Sequence, residues 1–550
     1  MTTCGRFVAT AAQMKELDRL AIEQEGISSL ALMEQAAQAV ADVVEELLTK
    51  QQRYAPIGTK TVILCARGEL SDEDREQLEH LNQIANPAQD EKPRVAVLCG
   101  TGNNGGDGIA AAGILLQRGW NVRAFLVGNR EKMTQDARAM AEKLTQLGGT
   151  LEPFDPENQE QVIWIVTSAC RVDALFGVGL SRPIEGDGAM AVRLLQNAPE
   201  QSPVVACDIP SGIHTDTGKV MGEYAVHAEV TVTFTWGKLG HYLEEGREHT
   251  GELREVEIGI PHKLVFQQEG TVHTMEGCCM PQRKPNSHKG DYGRIFILAG
   301  SVGYTGAPVF VAEGALRTGA GLVYLGVPKE IYPVIAMKCG AAMPLPLLET
   351  DEELYDKISR CDVAVLGPGL GLAQETQRKV RFLLEQLTCP VVLDADGINA
   401  ICGHIDKLDK RAAPTILTPH DGEFARLTGC ALPLENRLNQ AKAFAQEHHC
   451  ILVLKGHCTI TAAPDGRVWL NTSGNAGMAK GGSGDILSGM IAALLGQKHL
   501  CQTEKQVAEL VAIAVYLHGA AGDAAAKNLG EYSMLPEDIL GAIHQVMRQE

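Results

Sequence analysis

Hydrophobic positions along the chain follow two rhythms. Near the start they recur at helical spacing, which predicts a helix from Ala11 to about Glu25. A second is predicted from Leu30 to about Lys50, with Leu32, Met33, Ala36, Ala37, Val40, Val43, Val44 and Leu47 on one side. Further on, short apolar runs alternate with helical stretches: RVAVLCG (94–100), VRAFLVG (122–128), CRVDALFG (170–177), PVVACDIPSG (203–212) and EVTVTFTW (229–236). Apolar strands separated by helix-length segments predict βαβ units around a buried parallel sheet. The rhythm resumes with RIFILAG (294–300), GLVYLGVP (321–328), CDVAVLGPG (361–369), PVVLDADG (390–397) and ILVLKG (451–456). Two α/β domains are expected, over 1–265 and 285–550. The breaker-rich stretch between them has neither period, so 266–284 is expected as a linker. The charged stretch 67–92 is expected as an exposed helix or mobile insertion.

Length agrees with two domains, because 550 residues exceed the roughly 250–300 that a single core accommodates. With 49 Lys and Arg against 68 Asp and Glu, the net charge of −19 argues against a nucleic acid or anionic membrane held by bulk charge. The N-terminus lacks an apolar core of signal-peptide length and no run of about 18 apolar residues occurs, so a soluble cytoplasmic protein is expected. The 15 cysteines include no CxxC pair, and Cys278 and Cys279 are adjacent, which suits thiols in a reducing compartment. Glycine supplies 58 residues, above the average of about 7%, without a short-period repeat, and points to functional turns.

The first such turn is GTGNNGGDG (100–108), between a strand and a helix. Glycines admit close backbone approach and a helix N-terminus favours anions, so a pyrophosphate fits there. The dehydrogenase version of this loop wants an acidic residue at the end of the next strand, but that strand ends Val127-Gly128-Asn129-Arg130. Asp173, the loop GVGLSRP (177–183), and Asp208 and Ser211 in CDIPSG all fall at strand ends, where ligands gather in open parallel sheets. The competing reading of each Asp is a helix cap.

Together GTGNNGGDG, VDALFGVGL and CDIPSG closely resemble the N-terminal, Rossmann-like domain of the bifunctional NAD(P)H-hydrate repair enzymes, over roughly residues 8–260. The resemblance implies epimerisation of the hydrates NADHX and NADPHX. It implies that Asn103, Asn104, Gly105, Gly106 and Asp107, with Gly177, Val178, Gly179, Leu180, Ser181, Arg182 and Pro183, bind the hydrate. Asp208 would contact the reacting region, as the candidate acid/base for inversion at C6. Asn104, Asp173 and Ser211 would hold a potassium ion, whose hardness suits oxygen ligands.

The strongest signal is SGNAGMAKGGSGDILSGMIAALLG, where Gly481, Gly482 and Gly484 precede Asp485 and an apolar helix. Backbone donors at a helix start stabilise phosphate, and the carboxylate can take a proton from a hydroxyl attacking phosphorus. KGHCT (455–459), TPHDGEF (418–424), GPGLG (367–371) and DADGIN (394–399) also lie at predicted strand ends, and no GxxxxGK[ST] motif occurs. The set resembles the ribokinase-like dehydratase domain of the same family, over roughly 285–550. Ser483 stands where the family often has Thr, keeping the hydroxyl. The resemblance implies that Lys455, Gly456, His457, Cys458, Thr459 and Gly484 bind ADP with Mg2+, and that Ala307, Gly371, His420 and Asp485 face the hydrate. For His420 a satisfied loop histidine is the competing reading.

The expected protein is a bifunctional repair enzyme with a Rossmann-like three-layer domain and a ribokinase-like domain, acting on NADHX, NADPHX and ADP and forming a homo-oligomer. A hydroxymethylpyrimidine or thiazole kinase with a non-catalytic N-terminal binding domain is the alternative. It leaves Asn104, Asp173, Asp208 and Ser211 unexplained.

Overall fold

The structure is a computed structural model that describes residues 2–54, 72–85, 92–196, 202–267, 271–347, 350–500 and 503–547. It divides into two compact units, Val8–Glu269 and a second formed by Met1–Phe7 with Gly270–Glu550.

In the first unit the strands are β1 (Arg94–Cys99), β2 (Asn121–Leu126), β3 (Leu151–Pro153), β4 (Cys170–Ala174), β5 (Val204–Cys207), β6 (Val230–Phe234) and β7 (Glu252–Val256), of which β3 and β7 go beyond the five the sequence predicted. They form one parallel sheet in the order β3-β2-β1-β4-β5-β6-β7. Every residue of β1, β4, β5 and β6 is buried, as helices on both faces of a parallel sheet require. Chain order reverses between β1 and β4, so the loops after these strands diverge and leave a crevice at their carboxyl ends. The loop after β1 enters the helix Asn103–Gln117. There Gly105 turns so tightly that a Cβ would lie 1.9 Å from Gly100 O, which excludes any side chain. Ahead of the sheet, Thr10 starts the helix Ala11–Glu23 with a reciprocal cap: Gln13 N donates to Thr10 Oγ1 over 3.1 Å and Thr10 N to Gln13 Oε1 over 3.0 Å.

The second unit contains β8 (Val272–Met275), β9 (Arg294–Leu298), β10 (Leu322–Val327), β11 (Met343–Pro346), β12 (Val363–Leu366), β13 (Val391–Leu393), β14 (Thr415–Leu417), β15 (Ile451–Leu454), β16 (Ile460–Ala462) and β17 (Val468–Asn471). Their order is β11-β10-β9-β12-β13-β14-β15-β16-β17-β8. Pairing is parallel from β11 to β15, antiparallel through β16 to β17, and parallel again onto β8. Two helices, Ala307–Arg317 and Ser483–Gly496, cross in close contact because both carry glycine at the crossing. A Cβ on Gly489 would lie 2.1 Å from Val311 O, and one on Gly314 would lie 2.6 Å from Ile486 O. The long helix Glu504–Leu529 is apolar enough in composition to cross a membrane, but here Val511, Ala514, Leu517 and Ala521 sit in the unit's core.

Three expectations about organisation change. The early helices run Ala11–Glu23 and Ser29–Tyr54, with Leu48 rather than Leu47 fully buried. The 266–284 stretch expected as a linker supplies β8, and its strand Gly277–Cys279 pairs antiparallel with Thr2–Cys4, so the first residues of the chain belong to the second unit. No local pattern announces such edge pairing, because the partner strands come from distant sequence. Within 67–92, residues Asp72–Ala85 form a helix whose Leu81 and Ala85 are buried, with the Arg94 guanidinium donating to Ile84 O. It is thus docked, not wholly exposed; 67–71 and 86–91 lie outside the described residues.

Candidate active sites

In the first unit a cavity of about 570 Å³ opens at the switch between β1 and β4. Asn103, Asn104 and Asp107 line it from the NNGGD loop, Gly177 to Arg182 from the loop after β4, and Asp208 from the end of β5. Of the residues predicted to bind there, Gly105, Gly106 and Pro183 are not on the lining. The two glycines are buried, Gly106 against Met33, and Pro183 packs beside Gly222. Their part is to let the loops close rather than to touch a ligand.

Asp208 is held in an unusual posture. Its φ of 65° is left-handed, which costs a non-glycine residue about 1–3 kcal/mol and persists only where the surroundings enforce it. Asp208 N donates to Val232 O over 2.8 Å, and Asp208 O accepts from His241 Nε2 over 2.9 Å. His241 Nδ1 accepts from Lys238 N over 3.0 Å, so the proton is on Nε2. Burial, reinforced by Lys238, pushes this imidazole down to about 3, and it stays neutral. The Lys238 ammonium, 0% exposed, pairs with Asp208 Oδ1 and donates to Thr233 Oγ1 over 2.7 Å. Across the cavity, Asp18 projects from the helix Ala11–Glu23 between Met14 and Ile22, one turn away on either side. Burial pushes its carboxyl up to about 6, with Lys238 opposing and Asp208 adding to the rise. Asp107 is raised well above the usual carboxylate range, chiefly by desolvation and then by Asp208 and Asp18.

Beneath the cavity, Asp173 is fully buried. Its Oδ1 accepts from Ser211 Oγ over 2.6 Å and its Oδ2 from Ser211 N over 2.8 Å. Burial nevertheless raises it to about 6, because the two bonds from Ser211 and one from Leu175 N over 3.2 Å do not replace its water. Ser211 Oγ also accepts from Phe176 N over 2.9 Å, which ties the loop after β4 to CDIPSG. Asn104 stands against Gly177 in that same loop, and both polar atoms of its side-chain amide are buried without a hydrogen-bond partner among the described residues. An orphaned amide oxygen, a buried carboxylate and a hydroxyl are the hard oxygen donors a monovalent cation takes, so the donor set suits the potassium ion that the resemblance implied.

The second unit gathers its motifs at the carboxyl ends of β9, β12, β13, β14 and β15. Ser301 Oγ donates to Gly369 O over 2.8 Å, and a Cβ on Gly369 would lie 3.0 Å from that of Ala307, so GPGLG meets the start of the Ala307–Arg317 helix. Gly371 N donates to Asp396 Oδ2 over 2.7 Å, joining GPGLG to DADGIN. Asp394, 1% exposed, is the hub: Thr418 Oγ1 (2.8 Å), Ala395 N (3.0 Å) and Lys455 Nζ (3.1 Å) donate to Oδ1, and Ser488 Oγ (2.7 Å) to Oδ2. Lys455 thereby reaches the glycine turn, its Nζ 3.3 Å from where a Cβ on Gly484 would be. Asp485, next along that turn, is pushed up to about 7 by burial and by Asp394, with Lys455 pulling the other way. Lys455 itself is raised, its burial overcome by Asp394, Glu423 and Asp485.

His420 plays the quieter of its two expected parts with one nitrogen: Nδ1 accepts from Gly422 N over 3.0 Å and Glu423 N over 3.3 Å, capping Asp421–Thr428. The rest of its ring is exposed. In KGHCT the Cys458 side chain is buried, while Gly456 and Thr459 bond to each other across the turn. Arg437 braces this turn by donating to Lys455 O over 2.9 Å.

Sequence reasoning missed Asp18, Lys238, Asp394 and Ser488 as site residues. Each left a faint signal. Asp18 sits in the apolar stripe Met14, Leu17, Ala21; Lys238 follows the apolar TVTFTWG; Asp394 lies inside DADGIN; Ser488 interrupts an otherwise apolar helix.

Comparisons with known proteins follow this division. Residues 295–545 match the family described as NAD(P)H-hydrate dehydratase, and residues 29–240 the family described as YjeF-related protein N-terminus. A bifunctional NAD(P)H-hydrate repair enzyme of Moorella thermoacetica is 36% identical, over 98% of this chain and 97% of its own. That of Escherichia coli is 34% identical, over 85% and 88%. Among solved structures, an ADP/ATP-dependent NAD(P)H-hydrate dehydratase from Bacillus subtilis co-crystallized with ATP/Mg2+ is 34% identical, covering 49% of this chain and 93% of that one with a TM-score of 0.41.

Proposed function

The chain belongs to the family of bifunctional NAD(P)H-hydrate repair enzymes, and from that premise we propose how its two units divide the work. The enzyme interconverts the R and S hydrates of NADH and NADPH and dehydrates the S form. The first unit carries the epimerase and the second the dehydratase. One observation supports this assignment above others: each unit presents its own carboxylate, Asp208 or Asp485, at the carboxyl end of its own sheet.

For epimerisation, C6 of the hydrate carries a hydroxyl beside the ring nitrogen, so loss and return of that hydroxyl invert the carbon. Asp208 moves the proton this requires. Asn103, Asn104 and Asp107, with the loop Gly177 to Arg182, bind and enclose the substrate. Asn104, Asp173 and Ser211 would hold K+, which would supply positive charge toward an anionic substrate.

For dehydration, the substrate hydroxyl oxygen attacks the terminal phosphorus of ADP, AMP leaves, and Asp485 takes the hydroxyl proton. The ring nitrogen then pushes out phosphate, and loss of a neighbouring ring proton restores the dihydropyridine. A base poised near 7 suits this step. Lys455 and the turn at Gly482 to Gly484 cradle the nucleotide phosphates. Because the Asp394 oxygens are already engaged, Mg2+ would be held mainly by the nucleotide's own phosphates. Incubation of the protein with NADHX, ADP and Mg2+ tests the proposal. Expected are recovery of NADH absorbance and one phosphate per NADH from either epimer; recovery from neither overturns it, and phosphorylated product without NADH returns the kinase alternative.

A further inference from the structure

The Lys238 ammonium is 0% exposed on the floor of a cavity that the epimerase reading does not ask it to serve. A buried ammonium survives only where its protons are accepted. Here they go to Asp208 Oδ1, to Thr233 Oγ1 over 2.7 Å and to Phe234 O over 3.3 Å. Thr233 Oγ1, accepting from Lys238, passes its own proton to Asp208 Oδ1 over 3.1 Å, and Phe234 N approaches the same oxygen at 3.4 Å. All of these donors converge on Oδ1, and none is on Oδ2. The same segment reaches the backbone of Asp208, because Lys238 N fixes His241, whose Nε2 donates to Asp208 O. Residues 233–241 therefore grip Asp208 by one carboxylate oxygen and by its carbonyl.

We propose that Lys238 is the positioning residue of the epimerase site, tying down Asp208 Oδ1 and leaving Oδ2 for the substrate's hydroxyl proton. This rests on the assignment of epimerisation to the first unit. The positive charge has a specific task there. Asp208 shares the cavity with Asp18 and Asp107. Lys238 bonds to Asp208 alone of the three, and so fixes the orientation of that carboxyl group. The other groups facing Asp208 are the neutral His241 and the Thr233 hydroxyl. Burial raises the carboxyls of both Asp18 and Asp107.

The full-length protein carrying Lys238→Met tests this, with epimerisation of pure R hydrate followed by chiral chromatography across a pH series. The expected result is a fall in kcat of about 100-fold with KM changed by less than about threefold, and an acid limb of the pH profile displaced upward. Lys238→Arg restores part of kcat and returns the acid limb toward its original position. A lysine that only filled space would lower activity equally at every pH, and that outcome overturns the proposal, as does an unchanged rate. Should Lys238→Met lose its fold by circular dichroism, Thr233→Val decides instead. It keeps the lysine, and a fall of about tenfold with the limb displaced the same way is expected; wild-type behaviour overturns the proposal. Absence of epimerisation in the unaltered protein is a different outcome, which refutes the epimerase assignment itself.

Discussion

Lys455 Nζ donates to Asp394 Oδ1 over 3.1 Å, and this pair stands beside the helix start that carries Asp485. The two members act on Asp485 in opposite senses: the Asp394 charge raises its carboxyl and the Lys455 charge lowers it, with burial taking it to about 7. A general base works only when ionised. The dehydration rate should therefore climb with pH through about 7 and level above it, in stopped assays on pure S hydrate. Asp394→Asn removes the neighbouring negative charge and should move that limb downward; a limb that stays in place rules out this coupling.

Asp485→Asn keeps the size of the side chain and cannot take the hydroxyl proton. Dehydration should fall by about 100- to 10,000-fold. ADP binding, measured by calorimetry, should persist or tighten slightly, since the backbone donors remain and a nearby negative charge is gone. Epimerisation of the R hydrate should be unchanged, because Asp208 lies in the other unit. Loss of both activities would contradict the division of labour.

The proposed potassium site carries a pH signature. Burial holds Asp173 protonated up to about 6, and a cation binds only its ionised form. Linkage then requires potassium to stabilise the first unit little below that pH and progressively more above it. Melting temperatures in potassium chloride against choline chloride should differ by less at about pH 5 than at about pH 8. In Asp173→Asn the dependence should disappear. Equal shifts at both pH values would remove Asp173 from the ligand set.

Fragment boundaries follow from the strand pairings. Val272–Met275 covers the edge of Val468–Asn471, and an uncovered edge strand invites aggregation. A fragment beginning at residue 270 should dehydrate S hydrate. One beginning at residue 280 should melt lower and aggregate in light scattering. A fragment of residues 8–269 should epimerise by itself. Equal behaviour of the two longer fragments would deny the added strand a stabilising part.

By itself the sequence determined the two α/β units, their parallel strands and the turns that carry the chemistry. Fully apolar strand runs, helix-length spacers and glycines before helix starts are local features, and GTGNNGGDG, CDIPSG and the turn before Asp485 became strand-end loops as their order along the chain required. Tertiary structure decided what depends on partners far apart in the chain. It placed Val272–Met275 beside a strand nearly 200 residues away, because main-chain pairing is indifferent to sequence distance. Gly105, Gly106 and Pro183 became shape rather than contact, since only packing shows which side of a loop faces the cavity. It also turned Asp394 into a buried hub bound to Ser488, and set Lys238 against Asp208. Charged residues in apolar stretches carry no label for their partners; burial makes an unpaired charge so costly that the fold, once closed, must supply them.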